Sequence, residues 1–308
     1  MGRGSYQAAD WVKLCRQRGL HEAMPPSEIY TTADVRKDFD SRYVICREAR
    51  DSIDSPQATP VIIGFDVTAS MGYLAKELAL NTMHHTILTL LRERPILYPQ
   101  ILCAAVGDSL CDRHPLQVTQ FEADIRIIEQ MTSLYLEGGG GGNGGESYQL
   151  LWYFAARHTI SDQYEKRHKK GYLFTLGDDA CHQQLSPAEI QRVFSDSVPY
   201  GLTSEELLRQ AEKCYFVFHI HIDTNRSTDD RIFQSWSKLL SGHAVRMHRN
   251  DLSLLPQLIE AIIAVNEGQE RNAVLKRMDQ DKAERLVPSL ALFTPDSRSF
   301  SAPSTFSF

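Results

Sequence analysis

Asp66, Thr68 and Ser70 stand at alternate positions directly after the apolar run Val61-Ile62-Ile63-Gly64-Phe65. A carboxylate and two hydroxyls so close together suit a hard divalent cation, which takes oxygen ligands in a near-octahedral array. A buried strand ending at Asp66 delivers that carboxylate to its C-terminal edge. Open α/β sheets hold their ligands at that edge. A helix then starts at about Met71. The same residue types also cap helices, so the segment reads either as a set of cation ligands or as the N-cap of that helix.

Two later segments bear on the choice. The run Gly138-Gly139-Gly140-Gly141-Gly142-Asn143-Gly144-Gly145-Glu146-Ser147 lets the backbone fold tightly beneath a ligand, at an entropic cost that an ordered site must offset. It also reads as a flexible linker. A phosphate-cradling loop needs Lys after its last Gly; Glu146 stands there and repels phosphate, so the nucleotide reading fails. Further on, Gly171-Tyr172-Leu173-Phe174-Thr175-Leu176-Gly177 runs into Asp178-Asp179, a second apolar strand ending in carboxylate.

Together the three segments resemble the von Willebrand factor type A (vWA) domain and its metal-ion-dependent adhesion site (MIDAS). Asp66, Thr68 and Ser70 match the D-x-[ST]-x-S motif. The Gly-rich run resembles the loop that carries the next ligand, with Asn143 at its place. The segment ending in Asp178 resembles the fourth-strand motif, hydrophobics followed by Thr-Asp-Gly. Here Gly177 replaces the usual Thr and Asp179 the usual Gly, so two carboxylates contend for one ligand position; Asp178 aligns with it. The resemblance implies a divalent cation, Mg²⁺ (or Mn²⁺ or Ca²⁺), held by Asp66, Thr68, Ser70, Asn143 and Asp178. It also implies a binding module, not an enzyme, whose ion bridges to an acidic residue of a partner protein. Two carboxylates balance the charge of a divalent ion, leaving it electrophilic towards that residue. The general plan is that of intracellular bacterial or phage type A proteins, several of which work beside AAA+ ATPases of the MoxR type.

The elements that position these residues follow from hydrophobic patterning. Strands are expected at 60–66, 100–106, 116–120, 171–177, 214–222 and 243–248. Helices are expected at 71–93, 122–136, 146–160, 186–196, 203–213, 228–241 and 251–266. Leu74, Leu78, Ile87 and Leu91 stripe the first helix at helical spacing. Such alternation predicts a doubly wound, mostly parallel sheet with helices on both faces, a vWA- or Rossmann-like α/β fold. Residues 1–57 form an N-terminal extension, 58–266 the domain, and 267–308 a charged helix and tail. Residues 8–18 suit a short amphipathic helix, and the extension is expected to pack on the domain. From Thr294 the chain is rich in Ser, Pro and Phe, and disorder is expected.

The 308 residues carry a formal charge of −6, and the one basic cluster, Lys166-Arg167-His168-Lys169-Lys170, reads as a solvated loop, so nucleic-acid binding is not supported. No stretch of ~18 apolar residues suggests a membrane span, and no secretory signal is evident. The six cysteines, at 15, 46, 103, 111, 181 and 214, show neither C-x-x-C pairing nor zinc spacing; reduced thiols in a cytoplasmic protein are expected. His219 and His221 share a strand face and read as hydrogen-bonded core groups before zinc ligands. His182 reads as shaping its loop.

The main competitor is a haloacid-dehalogenase-like, Mg²⁺-dependent phosphatase, with Asp66 as nucleophile, Asp178 and Asp179 as metal ligands, and Lys169 or Lys170 steadying phosphate. That chemistry wants a second Asp two residues after the first as general acid, where Thr68 stands; losing such an acid costs ~10²–10⁴ in rate. A structural subunit of a virion or filament is the third reading.

Overall fold

The computed structural model describes residues 4–68, 71–137 and 144–296. In chain order the strands are β1 (Arg47–Ala49), β2 (Thr59–Asp66), β3 (Pro99–Val106), β4 (Leu116–Val118), β5 (Thr159–Ser161), β6 (Gly171–Gly177), β7 (Gln184–Leu185), β8 (Leu202–Thr203), β9 (Tyr215–Asp223) and β10 (Ala244–His248). Six of them form one sheet in the order β10-β9-β6-β2-β3-β4. Every neighbouring pair is parallel except β3 and β4. All six correspond to strands expected from the sequence, within two residues at their ends. The doubly wound α/β architecture is thus present.

Strands β2, β3 and β6 are buried along their whole length, which is why they read as continuous apolar runs. Alternate side chains serve two cores. Val61, Ile63 and Phe65 face the helices at Gly72–Glu77, Met83–Glu93 and Leu255–Asn266, whereas Ile62 faces Gln149–Arg157, Pro187–Phe194 and Asp229–Leu240. Gly64 lies on this second face, where an added Cβ would come within 2.2 Å of Leu151; the missing side chain lets that helix seat against the sheet. Inside the expected helix 71–93 the ladder widens to a five-residue π turn, Leu78–Thr82. A helix at Asp162–Arg167, capped by the Ser161 hydroxyl, was not anticipated.

The N-terminal segment packs on the domain. Its helix Ala8–Arg18 precedes Ile29, Tyr30 and Phe39, which are buried in the first core, and the Tyr30 hydroxyl donates to the Ala75 carbonyl (2.9 Å). Strand β1, also within the extension, pairs with β5. At the other end, Leu286, Leu290 and Phe293 also enter the first core. Thr294 and Asp296 donate backbone N–H groups to the Gly242 carbonyl and Asn266 Oδ1 (2.9 and 3.1 Å); the remainder of the expected tail lies outside the described residues.

Strand β2 is the topological centre. The chain moves from it to β3 on one side, then crosses to β6 on the other. That reversal opens a crevice beyond the C-terminal ends of β2 and β6, where sheets of this kind receive ligands.

Candidate metal centre

Asp66 ends β2, and Asp178 follows directly on β6, its immediate neighbour. The structure therefore brings these two sequence-selected carboxylates to the reversal point. Both are buried, at 0 % and 2 % exposure. Asp66 Oδ1 accepts from the Thr68 backbone N–H (2.7 Å) and hydroxyl (2.6 Å), and Oδ2 accepts from the Tyr148 hydroxyl (3.3 Å). The regular helix begins at Gly72, with Met71 at its N-cap and no side-chain capping bond there. Ser70 and Asn143, the other two expected ligands, lie outside the described residues.

The two carboxylates lack sufficient positive charge. Burial, opposed by the Thr68 hydrogen bonds and reinforced by repulsion from Asp178 and Asp179, pushes the Asp66 carboxyl up to about 7. Burial likewise pushes Asp178 up to about 6, against the pull of Arg226. Asp178 Oδ2 lies 3.3 Å from Arg226 Nη1, while its Oδ1 is buried without a hydrogen-bond partner. Arg226 Nη2 also donates to the Asp178 carbonyl and stands 3.3 Å from Asp179 Oδ1. Of the two contending acids, Asp178 is the buried one; Asp179 has a side chain 23 % exposed.

Four functional neighbours were missed in the sequence. Glu146, seen there only as an obstacle to phosphate, is buried with Oε2 unpartnered. Burial first, then repulsion from Asp66 and Asp108, pushes its carboxyl up to about 10. Asp108, just past β3, is fully buried and accepts from the Leu110 N–H, the Ser147 hydroxyl and His182 Nε2 (2.9, 3.2 and 2.9 Å). It ties loops together, and His182 shapes its loop as expected. An apolar strand running into a carboxylate, the signal used for Asp66 and Asp178, was equally visible at Ile101–Asp108.

Tyr148 explains the departure at Gly177. A Cβ there would stand 1.8 Å from the Tyr148 hydroxyl and 3.0 Å from Asp66 Cβ, so only glycine leaves room for this tyrosine to reach Asp66. Burial holds the Tyr148 phenol protonated, well above its ordinary range, and hence a donor. Arg226, which reaches the site from the loop after β9, left no signal in local sequence.

His219 and His221 are both buried in the core, but only His219 is hydrogen-bonded as expected; His221 has both ring nitrogens buried without a partner. His219 is fully buried, stacked on Trp236 with ring centroids 3.6 Å apart, and its Nδ1 is 2.9 Å from the Thr175 hydroxyl. Burial drives His219 well below its ordinary pKa and His221 down to about 4, so both are neutral. The six cysteines are unpaired.

A divalent cation fits this donor set chemically. The candidate donors are oxygens, Asp178 and the neighbouring Glu146 each hold a buried oxygen with no partner, and the repulsion among these carboxylates would be relieved by positive charge. Among the described residues, no group of three or more His, Cys, Asp or Glu side chains is arranged to hold a metal. What they contribute is a carboxylate pair and Thr68.

The sequence matches no known family model and no curated protein. The fold is similar to parts of solved structures. The pilus adhesin SpaC from Lactobacillus rhamnosus GG, in its open conformation, gives a TM-score of 0.47 at 8% identity, over 68% of this chain and 30% of that one. Proximal thread matrix protein 1 from the mussel byssus, in a structure titled as having a zinc-occupied MIDAS motif, gives 0.43 at 11% identity, over 71% of this chain and 49% of that one. The chain thus spans half or less of these neighbours' length. Similarity at this level concerns the arrangement of strands and helices alone.

Proposed function

We propose that this protein is a cation-dependent protein-binding module of the vWA type. A divalent cation, Mg²⁺ for preference among hard ions, is held by Asp66, Thr68 and Asp178, with Ser70 and Asn143 completing the set. Bound there, it supplies a Lewis-acidic position for a carboxylate from a partner protein. The single observation that carries this reading is the pair of buried, under-compensated carboxylates at the sheet's reversal point, one with an orphaned oxygen. The chain's own residues orient the pair: Thr68 and Tyr148 fix Asp66 by hydrogen bonds. The action is binding without catalysis. Its setting is the cytoplasm, and an AAA+ ATPase of the MoxR type is the partner class to test first. No helix among the described residues is long and apolar enough to cross a membrane.

The phosphatase alternative is weakened by one placement. Lys169 and Lys170 immediately precede β6, whereas Asp178 follows it. From Lys170 to Asp178, at ~3.3 Å per residue, the strand separates them by roughly 26 Å, so neither lysine steadies a phosphate beside Asp66.

The test is capture of partners on the immobilised full chain in Mg²⁺ and in EDTA. A partner retained in Mg²⁺ should be lost in EDTA, by Asp66→Ala and by Asp178→Lys alike. A partner that binds all three as well as wild type would show that the interface lies elsewhere, with residues 1–57 the next place to look.

A further inference from the structure

Arg226 stands where the proposed cation would most need room. Its loop is pinned by Asp229, which is 1 % exposed: Oδ2 accepts from the backbone N–H groups of Thr224 and Arg226 (3.0 and 2.8 Å), and Oδ1 accepts from Arg226 Nε (3.2 Å). Asn225 just before it has a φ of 64°, which turns the chain back towards β6. The guanidinium is thereby presented to Asp178 and Asp179 together.

Its contacts to the two carboxylate groups are loose, although Nη2 also donates to the Asp178 carbonyl. Both side-chain contacts are 3.3 Å, against about 2.7–2.9 Å for a well-formed charged pair. They leave Asp178 Oδ1 without a partner. The arginine side chain is 35 % exposed; to withdraw it gives up the bond to the Asp178 carbonyl while Asp229 keeps its Nε.

From this geometry, and resting on the cation reading above, we infer that Arg226 is a tethered competitor for the cation, which holds Asp178 when the metal is absent and yields it when a divalent ion binds. A guanidinium and a metal ion close to one carboxylate repel each other. Each therefore weakens the other's hold on Asp178 by the same factor, because coupling between two binding events is reciprocal. Two consequences follow. The arginine raises the cation's dissociation constant while sparing the empty site the repulsion between Asp178, Asp179 and Asp229. It also selects by charge: a monovalent ion carries no more charge than the guanidinium it must displace, whereas a divalent ion carries twice as much.

The experiment is Mn²⁺ titration into the EDTA-stripped full chain, with free Mn²⁺ read by electron paramagnetic resonance. Arg226→Gln should bind Mn²⁺ more tightly than wild type, by roughly tenfold or more, equivalent to about 1.4 kcal/mol. Arg226→Met, which keeps the length of the side chain, should do the same. Arg226→Lys should stay close to wild type, and Asp66→Asn should not bind. Binding by Arg226→Gln where wild type shows none also supports the inference. Equal or weaker binding by both Arg226→Gln and Arg226→Met than by wild type overturns it while leaving the cation site standing; this is the result if Arg226 serves only structure. Absence of Mn²⁺ binding in wild type and in both neutral variants overturns the inference and the cation reading together.

Discussion

The two ends of the central sheet hold buried carboxylates in opposite electrostatic conditions. At the N-terminal end of the strands, Asp162 accepts from Arg50 (2.9 Å), Lys166 (2.7 Å) and the Asp51 backbone N–H (2.9 Å). Asp51 in turn receives both Arg167 Nη atoms (2.7 and 3.1 Å). Burial pushes the Asp162 carboxyl up, yet these donors outweigh it and bring it down to about 2. At the C-terminal end, Asp66, Asp178 and Glu146 are all pushed above the carboxylate range, and two of them have an orphaned buried oxygen. Matched charge at one end fastens loops to the sheet. Unmatched charge at the other is what the proposed cation would relieve. The basic run Lys166–Lys170, the most conspicuous charge cluster in the sequence, thus contributes Lys166 and Arg167 to structure.

Removing a matched acid gives the largest expected effect. Asp162→Ala strips a buried acceptor from two cationic side chains and a backbone N–H, and should cost about 3 kcal/mol in Mg²⁺ and EDTA alike. Denaturant melts in the two buffers check this, and a loss that depended on metal would erase the distinction between the ends.

Next comes Gly177→Ala, which drives a methyl group into the Tyr148 hydroxyl. Overpacking of this kind costs ~1–3 kcal/mol. If Tyr148 orients Asp66, the double variant Gly177→Ala/Tyr148→Phe should recover part of the stability, because the ring Cζ still lies 2.8 Å from the added Cβ, but none of the metal response. Recovery of both would make the tyrosine a packing group only.

The third contrast is in pH. Asp66 and Asp178 have folded-state values above the ordinary carboxylate, about 7 and about 6. Their contribution to the metal-free protein is therefore complete below about pH 4 and lost as pH rises through 6 and 7. Asp162, lowered to about 2, contributes in the opposite sense, its share disappearing only as pH falls through that region. In EDTA the melting temperature should therefore decline from pH 5 to pH 8, and Mg²⁺ should offset the decline. A melting temperature that holds level or rises across that range in EDTA would contradict the charge imbalance.

These contrasts also mark where the sequence was legible. Fully buried parallel strands such as β2, β3 and β6 announce themselves as apolar runs, so the sheet and the strand-end positions of Asp66 and Asp178 could be read. The short strands β1 and β5 could not, because three-residue pairings between distant segments leave no period. The π turn at Leu78–Thr82 interrupts a helix whose apolar stripe continues across it, so the pattern does not change there. Tyr148 and Arg226 escaped for a related reason: their roles depend on tertiary approach. Gly177, which looked like a departure from a motif, makes sense only once the tyrosine hydroxyl beside it is seen.

The central claim is that the Asp66 charge is held for a cation. Thermal melts of wild type and Asp66→Asn at pH 8, each in Mg²⁺ and in EDTA, test it most directly, because asparagine keeps an acceptor for the Thr68 N–H while removing the charge. The account predicts that Mg²⁺ stabilises wild type, by about 2.7 kcal/mol at a hundredfold excess over its dissociation constant. It also predicts that Asp66→Asn is at least as stable as wild type in EDTA and gains nothing from Mg²⁺. A wild-type melting temperature indifferent to millimolar Mg²⁺, or an Asp66→Asn variant destabilised equally in both buffers, would contradict it.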